Sequence, residues 1–360
     1  MMATEFKVAP VKKNILSIDP GNSYLKICFP DGSLKMTPNY LLAFDPTEHE
    51  IKPTDDSAVV LVDGKHWLVG AEAKQQGGSA LNHLGKCDHI HIVVAAVLSM
   101  LETTTAIVTE LRIVVADNRL PKWKEAKERL LKLKDFQAMR TVGTSKEYAM
   151  TSYKPRIDDV RFTSEGQPPW FWMTANNLWN TALNADVHGV LDVGCGETTG
   201  KLITKSGTPI YGTEKSKAMN DPGMISLANS CAAKIKIAGN LDVTPDAYAV
   251  LAAIERGCKL PESTKGGRFN YTDRGSLVSF DDIFDNAHAK WMARTVNKML
   301  DTFQSSGEHV GQILIVGGGA PLFEAAAKQY PGLMLIAKHD KIDNFPQLIN
   351  VVAMSTVMGA

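Results

Sequence analysis

The 360-residue sequence carries no charge of one sign to excess, with 39 acidic and 39 basic residues. A balanced chain has no global field that draws nucleic acid or an anionic membrane onto it. Direct nucleic-acid binding is therefore not expected. No apolar run approaches the roughly 20 residues that span a bilayer, so no membrane partner is expected either. Residues 1–13 lack the apolar centre of a secretory leader. Cysteine is sparse and odd in number (Cys28, Cys87, Cys195, Cys231, Cys258), with no regular spacing. Such a set suits reduced thiols in a cytoplasm rather than a disulfide framework. His83, Cys87, His89 and His91 fall close together, but neither common zinc spacing is present, and a structural role at a helix start is expected for them. Low-complexity tracts are missing. With 44% hydrophobic and 22% charged residues, the chain is long enough for two globular domains.

Against this unremarkable background two loops stand out. Asn14-Ile15-Leu16-Ser17-Ile18-Asp19-Pro20-Gly21 and Gly189-Val190-Leu191-Asp192-Val193-Gly194 are both apolar strands that end in Asp-x-Gly. Each is followed by a second strand and a hairpin turn, at Pro30-Asp31-Gly32 and Lys205-Ser206-Gly207. The chain thus starts the same small structure twice. A third apolar strand closes on Gly317-Gly318-Gly319-Ala320 and opens a helix.

The residue types suit phosphate chemistry. Gly21 allows a sharp turn and close approach of the backbone to an anion, and free N–H groups in such a turn form a nest for anionic oxygens. Asn22, Ser23 and Tyr24 complete the first turn. Ser23 adds a hydroxyl, and Lys26 supplies a point charge for phosphate oxygens. Asp19 is suited to holding Mg²⁺ through water. The second loop, Asp192-Val193-Gly194-Cys195-Gly196-Glu197-Thr198-Thr199-Gly200-Lys201, offers another carboxylate, three glycines and two hydroxyls. Asp192 is the matching metal candidate. The two loops are expected to grip the phosphates of one nucleotide, with the Gly317-Gly318-Gly319 turn beneath the adenosine.

The rest reads as alternating strands and helices, an α/β pattern with mixed sheets. Residues 57–70 form a hairpin turned by Asp63-Gly64. A buried helix is expected over 91–101, a core strand over 111–115, and an amphipathic helix with a Lys-rich face over 121–139. A strand over 157–162 leads into Glu165-Gly166-Gln167-Pro168-Pro169 and a tryptophan-rich helix with Trp170, Trp172 and Trp179. Further helices are expected over 223–237, from a Thr244 cap with Pro245, over 281–303, and from Pro346 to Met358.

This set of motifs resembles the actin, heat-shock chaperone and sugar kinase superfamily, and within it the bacterial actin-like proteins of the ParM/StbA plasmid-partition type. The resemblance covers nearly the full chain. It rests on Asp19-x-Gly21 with Lys26, Asp192-x-Gly194, Gly317-Gly318-Gly319-Ala320 and the closing segment from Phe345-Pro346 to Gly359. It implies an actin-like, ribonuclease H-like fold with two domains and a nucleotide cleft between them. The implied domains are residues 14–184, closed by the C-terminal helix 344–360, and residues 185–343, with the chain crossing near Asn184. Also implied are ATP or ADP with Mg²⁺ as cofactors, and Asp19 and Asp192 acting in catalysis through the metal. Glu165 stands where the family places its water-orienting residue, and Gln167 is close enough to take that role instead. Glu255 and Lys259 resemble the pair that borders ribose and base. The second loop departs from the family pattern: Thr198 stands one position late, and Gly200 replaces an acidic residue. This leaves the roles of Thr198 and Thr199 open.

The implied function is an ATPase that polymerises into dynamic filaments and segregates plasmid or similar DNA through a DNA-binding adaptor. A small-molecule kinase of the same superfamily and a cytoskeletal scaffold with little turnover are the alternatives.

Overall fold

The computed structural model describes residues 14–48, 51–141, 148–180, 185–210, 219–261, 263–273, 276–337 and 346–356. Residues 1–13, the expected crossing at Asn184 and the two ends of the closing segment lie outside them. By contact density the chain divides into two units, Met1–Thr163 and Ser164–Ala360. The expected division at residue 184, with the C-terminal helix returning to the first domain, is a different partition and stays a proposal.

In the first unit, five strands form one mixed sheet: β1 (Ile15–Pro20), β2 (Tyr24–Cys28), β3 (Leu34–Pro38), β4 (Glu110–Val115) and β5 (Val160–Ser164). Their order is β5-β4-β1-β2-β3. β1 pairs antiparallel with β2 and parallel with β4. Leu16 to Pro20 and all of β4 are buried, and the polar residues among them include the charged pair Glu110 and Arg112 of β4. A second, six-stranded sheet contains the 57–70 hairpin. Its turn residues Asp63 and Gly64 have φ of 51° and 74°, the double left-handed geometry that matches strand twist.

Helix α1 spans Lys86–Ser99, so it starts earlier than expected and contains Cys87, His89 and His91. His91 Nε2 meets Asp63 Oδ2 at 3.1 Å, and His89 packs edge-on against Trp67. The amphipathic helix α2 covers only Lys122–Leu131. The rest of the expected helix becomes the strand Phe136–Thr141, paired with Tyr148–Tyr153 and Ser57–Val62. Tertiary pairing there overrides the local helical pattern, because it buries Phe136 and Ala138.

The second unit repeats the first sheet. Its strands are β6 (Val187–Val193), β7 (Glu197–Thr204), β8 (Met219–Pro222), β9 (Val310–Val316) and β10 (Met334–Ile336), in the order β8-β7-β6-β9-β10. β6 pairs antiparallel with β7 and parallel with β9, as β1 does with β2 and β4. Helices α3 (Gln167–Ala175), α4 (Met224–Ala238), α5 (Ala247–Cys258), α6 (Asp281–Gln304) and α7 (Ile349–Thr356) belong to this unit.

Helix α3 starts with Pro168 and Pro169 in its first turn, where their missing N–H groups cost nothing. It stops before Trp179. α5 is capped by Asp246, which accepts from Ala249 N–H at 3.0 Å, rather than by Thr244. Phe303 of α6 lies across Gly189 and Gly200, where a Cβ would come within 2.7 and 3.2 Å of its ring. Two glycines on paired strands make the groove that this aromatic fills. None of the described helices is long and apolar enough to cross a membrane.

Candidate functional site

In the first unit the Asp-x-Gly turn joins β1 to β2. The strand register sets Asp19 opposite Lys26. Directly opposed residues share a face, and Lys26 Nζ donates to Asp19 Oδ2 at 3.0 Å. Asp19 is buried, while Gly21, Asn22 and Ser23 are half-buried and Tyr24 exposed. A Cβ on Gly21 would lie 3.0 Å from the Tyr24 carbonyl oxygen and 3.1 Å from Lys26 Nζ, so the tight turn leaves little room for a side chain there.

Asn39, which carried no signal in the sequence beyond its place between Pro38 and Tyr40, holds this turn. Its Nδ2 donates to the Gly21 carbonyl at 2.7 Å, and its N–H to the Ser23 carbonyl at 3.1 Å. Asn39 is fully buried, and its Oδ1 has no hydrogen-bond partner among the described residues.

In the second unit the loop after β6 is held by the start of α4. Gly194 N–H donates to the Glu197 carbonyl at 3.0 Å and closes the turn. The carbonyls of Gly194, Cys195 and Gly196 then accept from the N–H groups of Met224, Ile225 and Gly223, at 3.1, 2.9 and 3.0 Å. A trans peptide points its N–H opposite to its C=O. The N–H groups of Cys195 and Gly196 therefore point away from the α4 N–H groups that hold the loop. Gly223 is indispensable to this clamp. A Cβ there would lie 2.4 Å from the Gly194 oxygen and 2.6 Å from the Cys195 oxygen. In the sequence Gly223 signalled only a helix start.

The register resolves which threonine accompanies the aspartate. Thr199 is opposite Asp192, and Thr198 is opposite Val193. Asp192 and Thr199 are both half-buried on one face. Thr198 is fully buried on the other, with no hydrogen-bond partner for its Oγ1 among the described residues.

The glycine turn adjoins this loop. β6 and β9 run parallel, with Asp192 beside Val316. Gly317 has φ of +89°, and a Cβ on it would sit 2.5 Å from Asp192 Oδ1. Gly319 N–H donates to the Val193 carbonyl at 3.0 Å. Gly318 is the more open of the three, with Met224 Cε 3.4 Å and Gln347 Cβ 3.8 Å from its Cβ position. A 3₁₀ turn (Ala320–Phe323) follows before the helix Glu324–Gln329. The expected helix start directly after the glycines is thus displaced by four residues.

Glu165 follows β5 and precedes α3. Its carbonyl accepts from Lys201 Nζ at 3.2 Å, and its side chain is half-buried, with no hydrogen-bond partner among the described residues. Gln167 is fully engaged. Its Oε1 accepts from Ser164 N–H at 2.9 Å, and its Nε2 donates to the Gly207 carbonyl at 2.8 Å. Of the two water-positioning candidates, the Glu165 carboxylate is the less engaged among the described residues.

Glu255 and Lys259 lie at the end of α5. Burial raises the Glu255 pKa, with Lys259 and Arg256 partly offsetting it. Burial also pushes the Cys258 thiol up to about 11, and Glu255 and Glu324 act on it in the same sense. Lys259 lines a cavity of about 370 Å³ with Ala253, Arg256, Leu260, Arg268 and Asn270.

The donor set fits the group the motifs imply. Asp19 and Asp192 are hard carboxylate donors of the kind Mg²⁺ takes, each ending the first strand of its sheet beside a glycine turn.

A mixed sheet of one strand order built twice, with an Asp-x-Gly turn after the first strand of each, is the architecture of the actin-like proteins, and the chain has that fold. No protein-family model matches it, and no curated protein matches it in sequence. Solved structures do. The chain is similar to an archaeal actin homolog, Ta0583, at 15% identity and a TM-score of 0.68, over 95% of this chain and 98% of that one. It is similar to the pSK41 ParM protein at 13% identity and a TM-score of 0.64, over 96% of each chain. A ParM from Clostridium botulinum, solved as a 15-stranded filament, matches at 16% identity and a TM-score of 0.64, over 95% of this chain and 98% of that one.

Proposed function

We propose that the chain is an ATP-binding, ATP-hydrolysing actin-like protein that polymerises into filaments, and that it serves DNA segregation through a DNA-binding adaptor. The observation that supports this most is the repetition itself: Asp19 and Asp192 occupy the same place in two sheets of one strand order. The neighbours add support, since the Clostridium botulinum ParM forms a filament and the archaeal homolog is also known in complex with ADP.

In this reading the N–H groups of Cys195 and Gly196, the Ser23 and Thr199 hydroxyls and Lys26 bind the phosphates. Gly317, Gly318 and Gly319 receive the adenosine, with Glu255 and Lys259 bordering ribose and base. Asp19 and Asp192 would hold Mg²⁺. When bound, the ion neutralises charge on the β- and γ-phosphates. Glu165 accepts a hydrogen bond from the attacking water and orients it towards the γ-phosphate. Catalysis is then mostly positioning and electrostatics. Loss of the γ-phosphate removes contacts to Ser23 and the second loop, which weakens the filament.

Calorimetry with Mg²⁺–ATP tests the site. Asp19→Ala and Asp192→Ala each weaken metal-dependent binding, because each removes an anchor of the same ion. Full-strength binding in both variants contradicts the two-loop site.

A further inference from the structure

We propose that Asp221 is a positioning residue for the second loop, holding the clamp that turns the Cys195 and Gly196 N–H groups outward. The proposal rests on the reading of that loop as a phosphate site. Asp221 sits on β8, and only 5% of it is exposed. Its carboxylate takes three donors from one helix. Arg294 Nε and Thr295 Oγ1 donate to Oδ2 at 3.1 and 3.2 Å, and Lys298 Nζ donates to Oδ1 at 3.3 Å. Trp291 Nε1 donates to the adjoining Pro222 carbonyl at 3.3 Å. Positions 291, 294, 295 and 298 make one face of α6, so a single helical stripe supplies all four of these donors to two residues of β8.

The next three residues are the clamp. Gly223, Met224 and Ile225 donate to the three loop carbonyls, and Gly223 has no room for a side chain. The polarity of the loop is thereby set from behind: α6 fixes Asp221, Asp221 fixes β8, and the chain leaving β8 fixes the loop peptides. Burying a carboxylate costs free energy that its partners roughly offset, so stability alone gives little reason for this cluster. Orientation of the loop gives one. Arg294 and Lys298 are about half exposed, so both are replaceable without opening the core.

The test uses the full chain, Arg294→Met with Lys298→Met, and separately Asp221→Asn. Amide hydrogen exchange of Gly223, Met224 and Ile225 is measured without nucleotide, together with thermal unfolding and ATP affinity. The expected result is exchange faster by about tenfold or more at those three amides, the scale of losing a charge-assisted hydrogen bond. Exchange in the β1–β2 hairpin stays unchanged, and ATP affinity falls by a similar factor. Keeping a cation at that position, with Arg294→Lys on an otherwise native chain, retains most of the affinity. Native exchange at the three amides in both variants overturns the proposal. So does faster exchange with undiminished ATP affinity. If the native protein binds no ATP, the phosphate-site reading falls on its own, and the exchange result still decides whether Asp221 holds the clamp.

Discussion

Asp192 and Gly317 meet across neighbouring parallel strands, with the Gly317 Cα facing the Asp192 carboxylate so closely that a Cβ would lie 2.5 Å from Oδ1. This contact joins the second Asp-x-Gly loop to the glycine turn, and it comes with a backbone conformation of φ +89° at Gly317. Gly317→Ala is expected to cost about 1–2 kcal/mol for the left-handed backbone and to push Asp192 aside. Mg²⁺–ATP affinity should fall by about tenfold or more, the effect of one misplaced charged anchor. Calorimetry checks this, and native affinity in the variant removes Asp192 from the site.

Glu165 and Gln167 separate cleanly by experiment. Glu165→Ala should slow ATP hydrolysis by roughly 10²-fold or more, the usual scale for a positioned acid or base, with ATP affinity little changed and filaments that form but persist. Gln167→Ala removes hydrogen bonds to Ser164 and Gly207, so its main effect should be a stability loss of about 1–3 kcal/mol. Phosphate-release kinetics decide. Native turnover in the first variant with loss in the second moves the role to Gln167.

Burial of charge in the first unit gives a stability prediction. Arg112 is fully buried, and its Nη2 donates to Glu110 Oε2 at 2.9 Å. Arg161 Nε meets the other carboxylate oxygen at 2.8 Å. Glu110→Ala leaves a buried guanidinium without its carboxylate and should cost roughly 3–5 kcal/mol. Replacing both residues, Glu110→Leu with Arg112→Met, should recover most of that loss in chemical denaturation. An additive double loss contradicts the pairing.

How much of this was legible in the sequence depended on the range of the interaction. β1, β6, the 57–70 hairpin and α6 follow from local periodicity and turn chemistry, and the observed elements agree with those expectations. The three glycine-bearing loops were legible because a tight turn after a strand imposes a local residue pattern along the chain. Residues 132–139 were misassigned to a helix because Phe136 and Ala138 are satisfied by strands distant in sequence. Asn39, Gly223 and Asp221 carried little signal because each acts on a loop far from it along the chain. The choice of Thr199 over Thr198 as the neighbour of Asp192 needed the strand register.

Mild acid should weaken the fold. His188 Nδ1 accepts from Gln312 N–H at 3.2 Å, and its ring stacks on Trp179 at 4.1 Å. Burial lowers its pKa, as it does for His91 and His288. A folded-state pKa below the unfolded value of about 6.5 means that the unfolded chain takes up the proton first. The stabilisation is therefore complete above that pH and is lost as the pH falls below it. Denaturation midpoints between pH 7.5 and 5.5 should fall, and His188→Gln should flatten the slope. A midpoint independent of pH across that window contradicts the neutral buried histidines.

Nucleotide-dependent assembly is the central claim, and high-speed sedimentation over a concentration series tests it most directly. With Mg²⁺–ATP at physiological salt, the protein should pellet above a critical concentration, with filaments visible in negative stain, and ADP or omission of nucleotide should leave most of it soluble. A chain that binds and hydrolyses ATP yet stays monomeric at high concentration contradicts the filament account and favours a small-molecule kinase. Filaments that form without measurable phosphate release favour a scaffold with little turnover.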